Sequence, residues 1–380
     1  MARIHWIGTG LSTVPGIRRL IGNGHTITLW NRTVSKAEEA AAGLSGDFEI
    51  RAFSMDALKE ALQPGDVGIS MLPGDFHVPV ATACLDAGAH FVSSSYISPE
   101  MRGLDEAGKA KGLCLVNEVG LDPGIDHLMA HVLMDDYRKS AAFSPDNRIQ
   151  FRSYCGGVPK IPNPFRYKFS WSPLGVLKAL KSPSKSIQNG EVIETTAPWD
   201  ALSSYRAVLP DGAESFEVYP NRDSLPFMDD YGFDPAWTVD QFVRGTLRLN
   251  GWADAWYEIF KTVGDMSADE LAALSARLEA ENTYEDGEPD RVVLCVDLQA
   301  QRDGEDVFSK SYVLDAAGDA THTAMARLVS IPVSYAVEAV LNGELPAGVS
   351  AAPSDPDLAR KWLAALRERG EAMELVDRLS

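Results

Sequence analysis

The sequence predicts an α/β protein of two domains, and three observations carry that reading. Short apolar runs alternate with helical spacing from residue 3 to residue 127, the rhythm of a parallel sheet built from βαβ units. The first of these runs, Arg3-Ile4-His5-Trp6-Ile7, enters Gly8-Thr9-Gly10, a strand delivered into a glycine turn at the start of a helix. After Ala130 the chain gains aromatic, proline and basic residues, and period-two strands joined by turns replace the earlier alternation, which marks a second, α+β domain. The expected boundaries are 1–128 for a Rossmann-type dinucleotide-binding domain and 129–353 for the second domain, with helices in 354–380 returning to the first.

Composition narrows the partners. A chain of 380 residues with 45% hydrophobic and 23% charged residues has ample length to bury two cores. Its formal charge of −19 argues against nucleic acid or an anionic membrane surface, since either needs a dominant basic face. Cys84, Cys114, Cys155 and Cys295 are far apart and show no zinc spacing, so free thiols in a reducing compartment and no metal are expected. Met1 runs directly into a strand and no run of about 18 apolar residues occurs, so a cytoplasmic protein without signal peptide or membrane span is expected.

In the first βαβ unit, Gly8 suits the tight turn, Gly10 allows the backbone to approach a pyrophosphate, and Leu11 and Ser12 complete the loop at a helix N-terminus. Thr13 stands where a third glycine is usual. A helical pattern through Ile17, Leu20 and Ile21 leads to a strand at 26–30. An acidic residue at that strand's end would bind the ribose hydroxyl of NAD; Asn31-Arg32-Thr33 instead offers a guanidinium to a 2′-phosphate, so NADP is expected. Further strands are read at 49–53 and 66–73, with a helix at 55–62 between them. Leu72 and Pro73 at the strand end face the nicotinamide side, and His77 is read as a helix-start or packing residue.

Two more strands, at 90–92 and 113–116, leave the sheet through Ser93-Ser94-Ser95-Tyr96-Ile97-Ser98-Pro99 and Asn117-Glu118-Val119-Gly120-Leu121-Asp122-Pro123-Gly124-Ile125-Asp126-His127. Ligands in open α/β sheets sit outside the carboxyl ends of the strands, so Tyr96 and Asp122 are delivered toward one crevice. Pro123-Gly124 suits a type II turn, and Asp126 a cap for a helix beginning near Leu128.

In the second domain a strand at 148–154 enters Cys155-Gly156-Gly157-Val158-Pro159, followed by the aromatic and cationic stretch Phe165-Arg166-Tyr167-Lys168-Phe169-Ser170-Trp171. In Phe242-Val243-Arg244-Gly245-Thr246-Leu247-Arg248-Leu249, period two puts Arg244, Thr246 and Arg248 on one face and Val243, Leu247 and Leu249 on the other. Two guanidiniums on one face require either acidic neighbours or a bound carboxylate, and spacing leaves both open. Ser267 and Glu270 form a capping box for a helix to about Leu278, and residues 281–290 read as a loop. Strands at 291–300 and 307–314 meet near Asp303-Gly304, a helix at 321–341 contains Pro332, and a last helix ends near Gly370.

Several of these stretches together resemble one family. The Gly8-Thr9-Gly10 turn, the segments 94–99, 117–127, 153–159 and 167–173, Tyr219-Pro220-Asn221-Arg222-Asp223-Ser224 and Arg244-Gly245-Thr246-Leu247-Arg248 are similar, in order, to the saccharopine reductases, the glutamate-forming saccharopine dehydrogenases. Thr13 and the Phe165-Arg166 pair depart from that pattern. The resemblance implies condensation of L-glutamate with α-aminoadipate semialdehyde to an imine and its reduction by NADPH to saccharopine. It implies cofactor contacts at Ser94, Leu121, Asp122, Pro123 and Ser170. It implies substrate contacts at Ser95, Tyr96, Arg222, Gly245, Thr246 and Leu247, and a tricarboxylate product favours Arg244 and Arg248 as further cationic contacts. Tyr96, Asp122 and Cys155 are the titratable candidates for proton transfer. The resemblance also implies a homodimer formed through the second domain. A related amine-forming reductase such as carboxynorspermidine dehydrogenase, and a non-catalytic nucleotide-binding protein, stay open as alternatives.

Overall fold

The computed structural model describes residues 2–379. The chain divides into two units: one runs to Leu128 and includes Ala326–Leu358, the other is Met129–Met325 with the chain from Ala359 onward.

In the first unit six strands follow in chain order: β1 (Ile4–Ile7), β2 (Ile27–Asn31), β3 (Phe48–Ala52), β4 (Val67–Ser70), β5 (His90–Ser93) and β6 (Cys114–Val116). With the later strand Gly348–Ser350 they form a seven-stranded sheet ordered Gly348–Ser350, β6, β5, β4, β1, β2, β3. All its pairs are parallel. The chain runs outward from β1 to β3, then crosses to β4 on the other side of β1, so the carboxyl ends of β1 and β4 flank the switch point at which doubly wound sheets bind ligands. The fully buried runs of β1 and β4 explain why these strands lack alternation: helices cover both faces.

Helix α1 (Val14–Gly22) follows the glycine turn, with Pro15 in its first turn. Thr13 is buried and donates its hydroxyl to Gly10 O at 2.8 Å, closing the loop. The close helix packing that a third glycine normally permits is supplied at Gly16 instead. A Cβ there would lie 2.3 Å from Ser330 O and 2.8 Å from Trp6, and Gly16 N donates to Ser330 Oγ at 2.9 Å. Arg19 on the same helix reaches Glu338 at 2.5 Å and lies over the Tyr335 ring.

Ser330, Tyr335 and Glu338 belong to the helix Ala324–Leu341, with Pro332 inside it. This helix is long and apolar enough to cross a bilayer, yet 78% of it is buried within the fold, as in a core helix. It corrects the expected domain boundary: the segment that returns to the first unit is Ala326–Leu358, not 354–380. The chain end goes elsewhere because its backbone groups complete a ladder in the second sheet, where Met373–Asp377 pairs with the strand Glu305–Ala317. Arg360 on the preceding helix also bonds Asp135 and Asp136, at 2.7 Å each.

The second unit contains β7 (Arg148–Pro159), β8 (Ser184–Gln188), β9 (Glu191–Thr195), β10 (Ser203–Leu209), β11 (Gly212–Pro220), β12 (Thr238–Leu249), β13 (Asp290–Arg302) and β14 (Glu305–Ala317). The main order is β10, β11, β12, β7, β13, β14, Met373–Asp377, with β8 paired to β12 and β9 to β8. Among the described strands of this sheet only β12 and β7 pair in parallel. One sheet face buries Tyr154, Phe216, Val243, Leu247, Val293 and Val313. A separate aromatic core gathers Tyr167, Tyr219, Trp252 and Trp256 with the helices Trp252–Val263 and Ala268–Glu281. The Ser267–Glu270 capping box is present as expected, and its helix runs on to Glu281.

Gly16→Ala should destabilise the first unit by about 1–3 kcal/mol, the range for overpacking a filled interface, because a backbone carbonyl cannot step aside as a flexible side chain can. The drop in urea unfolding midpoint at constant m-value is the measurement.

Candidate active site

The glycine turn has the shape a pyrophosphate needs. Gly8 takes φ 99°, and a Cβ on it would stand 2.8 Å from Met71 O, so only glycine fits between β1 and the end of β4. A Cβ on Gly10 would meet nothing within 4 Å, which leaves its backbone open to a close ligand. Leu11 is exposed, and α1 has no acidic residue in its first turn to compete for its positive end. Asn31 Nδ2 donates to Thr9 Oγ1 at 2.7 Å and ties the end of β2 to this loop. Arg32 and Thr33 follow, exposed, and Thr33 precedes the helix α2 (Val34–Ala41). Leu72 packs against the core below, and Pro73 lies exposed before a short turn of helix, Gly74–Phe76.

Tyr96 and Asp122 are brought together. The Tyr96 hydroxyl donates to Asp122 Oδ1 at 3.2 Å. Their two segments are joined by Glu118, whose N–H donates to Ser95 O at 3.1 Å while its Oε1 accepts from Ile97 N at 2.8 Å. The other carboxylate oxygen lies 2.9 Å from His127 Nε2, and Glu118 holds φ 54°, rare for a residue with a side chain. Beyond it the chain doubles back: Gly120 N donates to Pro123 O at 2.9 Å and Ile125 N to Gly120 O at 3.0 Å. Gly124 permits this, since a Cβ there would stand 2.1 Å from Gly120 O.

Two local expectations change at this point. Gly124 takes φ 149°, and Ile125 N bonds Gly120 O and not Asp122 O, so the turn is not type II. The helix begins at Ile125 rather than near Leu128, and Asp126 Oδ1 accepts from Gly124 N at 2.7 Å instead of capping from outside. Ser94 lies against this loop, 3.0 Å from where a Gly120 Cβ would be, and Leu121 is buried in it.

Sequence reasoning missed two residues here. Glu118 was visible only as a charge following a buried strand. His77, the first residue of α4 (His77–Ala87; Met55–Ala61 is α3), does start a helix as expected, but its ring also joins two hydroxyls. Nδ1 lies 2.8 Å from Ser70 Oγ and Nε2 2.7 Å from Ser95 Oγ. Burial pushes its pKa down to about 4.

In the second unit, parallel register sets Cys155 of β7 beside Thr246 of β12, and Thr246 in turn beside Tyr219 of β11. Cys155, Thr246 and Arg248 therefore share one sheet face. The strands approach closely because a Cβ on Gly156 would stand 2.1 Å from Leu247 O, and one on Gly245 2.5 Å from Tyr219 O. Arg244 is buried, with its guanidinium 3.9 Å from the Phe227 ring centre. Arg222 is exposed on the turn after β11, where Asn221 N donates to Arg244 O at 2.9 Å. Arg248 is 4% exposed and surrounded by the rings of Tyr167, Tyr219 and Trp252 at 4.8, 5.7 and 5.4 Å. Its Nε has no hydrogen-bond partner among the described residues. Ser170 is buried next to Gly157, 3.2 Å from where that glycine's Cβ would be.

A doubly wound sheet with an open glycine loop at its switch point, and a tyrosine–aspartate pair beyond neighbouring strands, define an oxidoreductase that uses a pyridine dinucleotide. The chain belongs to the saccharopine dehydrogenase family: residues 4–116 match the model of the saccharopine dehydrogenase NADP binding domain, and residues 120–371 that of the saccharopine dehydrogenase C-terminal domain. The cofactor is accordingly NADP, as the Asn31-Arg32-Thr33 sequence suggested. The chain is 30% identical to the NADP(+)-dependent, L-glutamate-forming saccharopine dehydrogenase of Saccharomyces cerevisiae, with 96% of each chain covered. It is 28% identical to the Schizosaccharomyces pombe enzyme of the same name, with 98% of each covered. The apo structure of the Saccharomyces cerevisiae enzyme superposes with a TM-score of 0.81 at 26% identity, covering 99% of this chain and 100% of that one. Homospermidine synthase from Legionella pneumophila shares the fold at 11% identity, with a TM-score of 0.64 over 99% of this chain and 91% of that one.

Unfolded His77 takes up its proton near pH 6.5, whereas folded His77 waits until about pH 4. The unfolded state binds more protons between those values, so stability should fall as pH drops through the window, by up to about 3 kcal/mol from this one group. Urea unfolding of the protein at steps between those two pH values should show a shallower fall for His77→Gln.

Proposed function

We propose that this protein interconverts saccharopine with L-glutamate and α-aminoadipate semialdehyde, using NADP(H). The observation that carries the reading is full-length similarity to glutamate-forming saccharopine dehydrogenases in a chain that holds a desolvated guanidinium, Arg248, packed among aromatic rings. A buried cation is costly unless an anion compensates it, and a tricarboxylate amino acid supplies anions.

Bound NADPH supplies the hydride. Gly8, Gly10, Leu11 and Ser12 hold the pyrophosphate, Asn31, Arg32 and Thr33 the phosphorylated ribose, and Leu72, Pro73, Ser94, Leu121, Pro123 and Ser170 the nicotinamide half. Arg222 and Arg248 hold substrate carboxylates, with Arg244 supporting the Arg222 turn through Asn221. Gly245, Thr246 and Leu247 form the strand segment at the substrate, with Thr246 on the sheet face of Arg248. Ser95 and Tyr96 contact the amino-acid part. Imine formation and hydrolysis each need a proton moved at nitrogen and at oxygen. The Tyr96 hydroxyl donates to Asp122 Oδ1 across 3.2 Å, and Cys155 is the third titratable group in the set. No histidine or lysine is among the proposed proton-transfer groups, so the protein's main contribution is orientation.

The direct test is spectrophotometric: saccharopine added to protein with NADP, and separately with NAD. Saccharopine-dependent reduction of NADP is expected; none with either cofactor overturns the assignment. Asp122→Asn should lower turnover by about 10²-fold, the scale of a lost proton-transfer group, with little change in NADPH affinity by fluorescence titration. Arg32→Asp should lower kcat/KM for NADP relative to NAD by about tenfold or more, one charge-assisted contact replaced by repulsion.

A further inference from the structure

We propose that His77 is a positioning residue for this reaction: bonded at both ring nitrogens, it sets the direction of the Ser95 hydroxyl and thereby the affinity for the amino-acid substrate. The inference deepens the assignment above and rests on it, because Ser95 is placed there at the substrate.

The geometry is a three-membered chain. Ser70 ends β4 with no exposure, His77 opens α4 with 7%, and Ser95 lies two residues past β5. The contacts of 2.8 and 2.7 Å join strand end, helix start and substrate segment through one ring. A neutral imidazole carries one donor and one acceptor, so the two hydroxyls cannot choose roles independently. If Nδ1 carries the proton it donates to Ser70, Nε2 accepts from Ser95, and Ser95 presents lone pairs outward. If Nε2 carries it, Ser95 accepts from the ring and its own proton is free for the substrate. In both arrangements the Ser95 oxygen is held in place before the substrate arrives, which lowers the ordering cost of binding. Burial keeps the ring neutral at working pH, so this coupling persists. The chain ends at Ser70, sealed from water, so the ring orients a hydroxyl and does not conduct protons to solvent. A helix-start packing residue would fill the same volume without these two contacts, and that difference can be measured.

The experiment compares full-length His77→Phe and His77→Gln, titrating saccharopine and NADP separately. Phenylalanine fills the space and removes both contacts, whereas glutamine places an amide near the Nε2 position. His77→Phe should raise the KM for saccharopine about tenfold, one oriented hydrogen bond, and leave the KM for NADP within about twofold. His77→Gln should recover most of that loss. In a Ser95→Ala background, His77→Phe should add no further loss, because both changes remove one interaction. Should His77→Phe fail to fold, Ser70→Ala tests the same chain from its far end, with a rise of about threefold expected in the saccharopine KM. A wild-type protein that turns over saccharopine beside a His77→Phe variant of unchanged KM, or losses that multiply in the double variant, overturns the role of His77. Absence of turnover in the wild type instead overturns the functional assignment and the inference with it.

Discussion

The carboxylate of Glu118 takes the Ile97 N–H at 2.8 Å and the His127 ring at 2.9 Å, in a place only 5% exposed. One oxygen holds the segment after β5 and the other holds the helix after β6. Tyr96 and Asp122 lie in the two segments so joined, and their 3.2 Å contact depends on that clamp. The arrangement is costly in isolation. A non-glycine residue at φ 54° carries strain of about 1–3 kcal/mol, and a buried carboxylate needs strong partners. Set against both penalties are the carboxylate's two contacts, the Ile97 N–H on one side and the His127 ring on the other.

The two units handle buried polarity in opposite ways. In the first, the hydroxyls of Ser70 and Ser95 close on an imidazole kept neutral by burial. In the second, permanently charged guanidiniums are desolvated against aromatic faces: Arg244 on Phe227, and Arg248 among Tyr167, Tyr219 and Trp252. Ring quadrupoles compensate a cation only in part. In a protein of formal charge −19, a guanidinium buried among rings, as Arg248 is, keeps a local attraction for anions within an acidic molecule.

The glycine turn shows how a motif can shift while its physics stays. Gly8 and Gly10 keep the expected positions, whereas the close helix contact moves from the position of Thr13 to Gly16, one turn further along α1. Thr13 then takes a different task, closing the loop through its hydroxyl. The surface met by Gly16 is Ser330, more than three hundred residues away in sequence. Local spacing could not anticipate that partner.

What the sequence determined by itself was local and periodic. The βαβ rhythm, the glycine turn ahead of α1, the Ser267–Glu270 capping box and the split faces of β12 all follow from spacings of two to four residues, and these dictate which side chains can share a face. Family likeness in the long segments around Tyr96, Asp122 and Arg244 named the candidate site residues. Tertiary structure alone decided the rest. Ala326–Leu358 returns to the first sheet and the tail to the second because each completes a ladder and a core contributed by distant chain. His77 and Glu118 acquire their partners only when strand ends separate in sequence become neighbours in space, since a hydrogen bond is decided by distance and direction, which residue order does not encode.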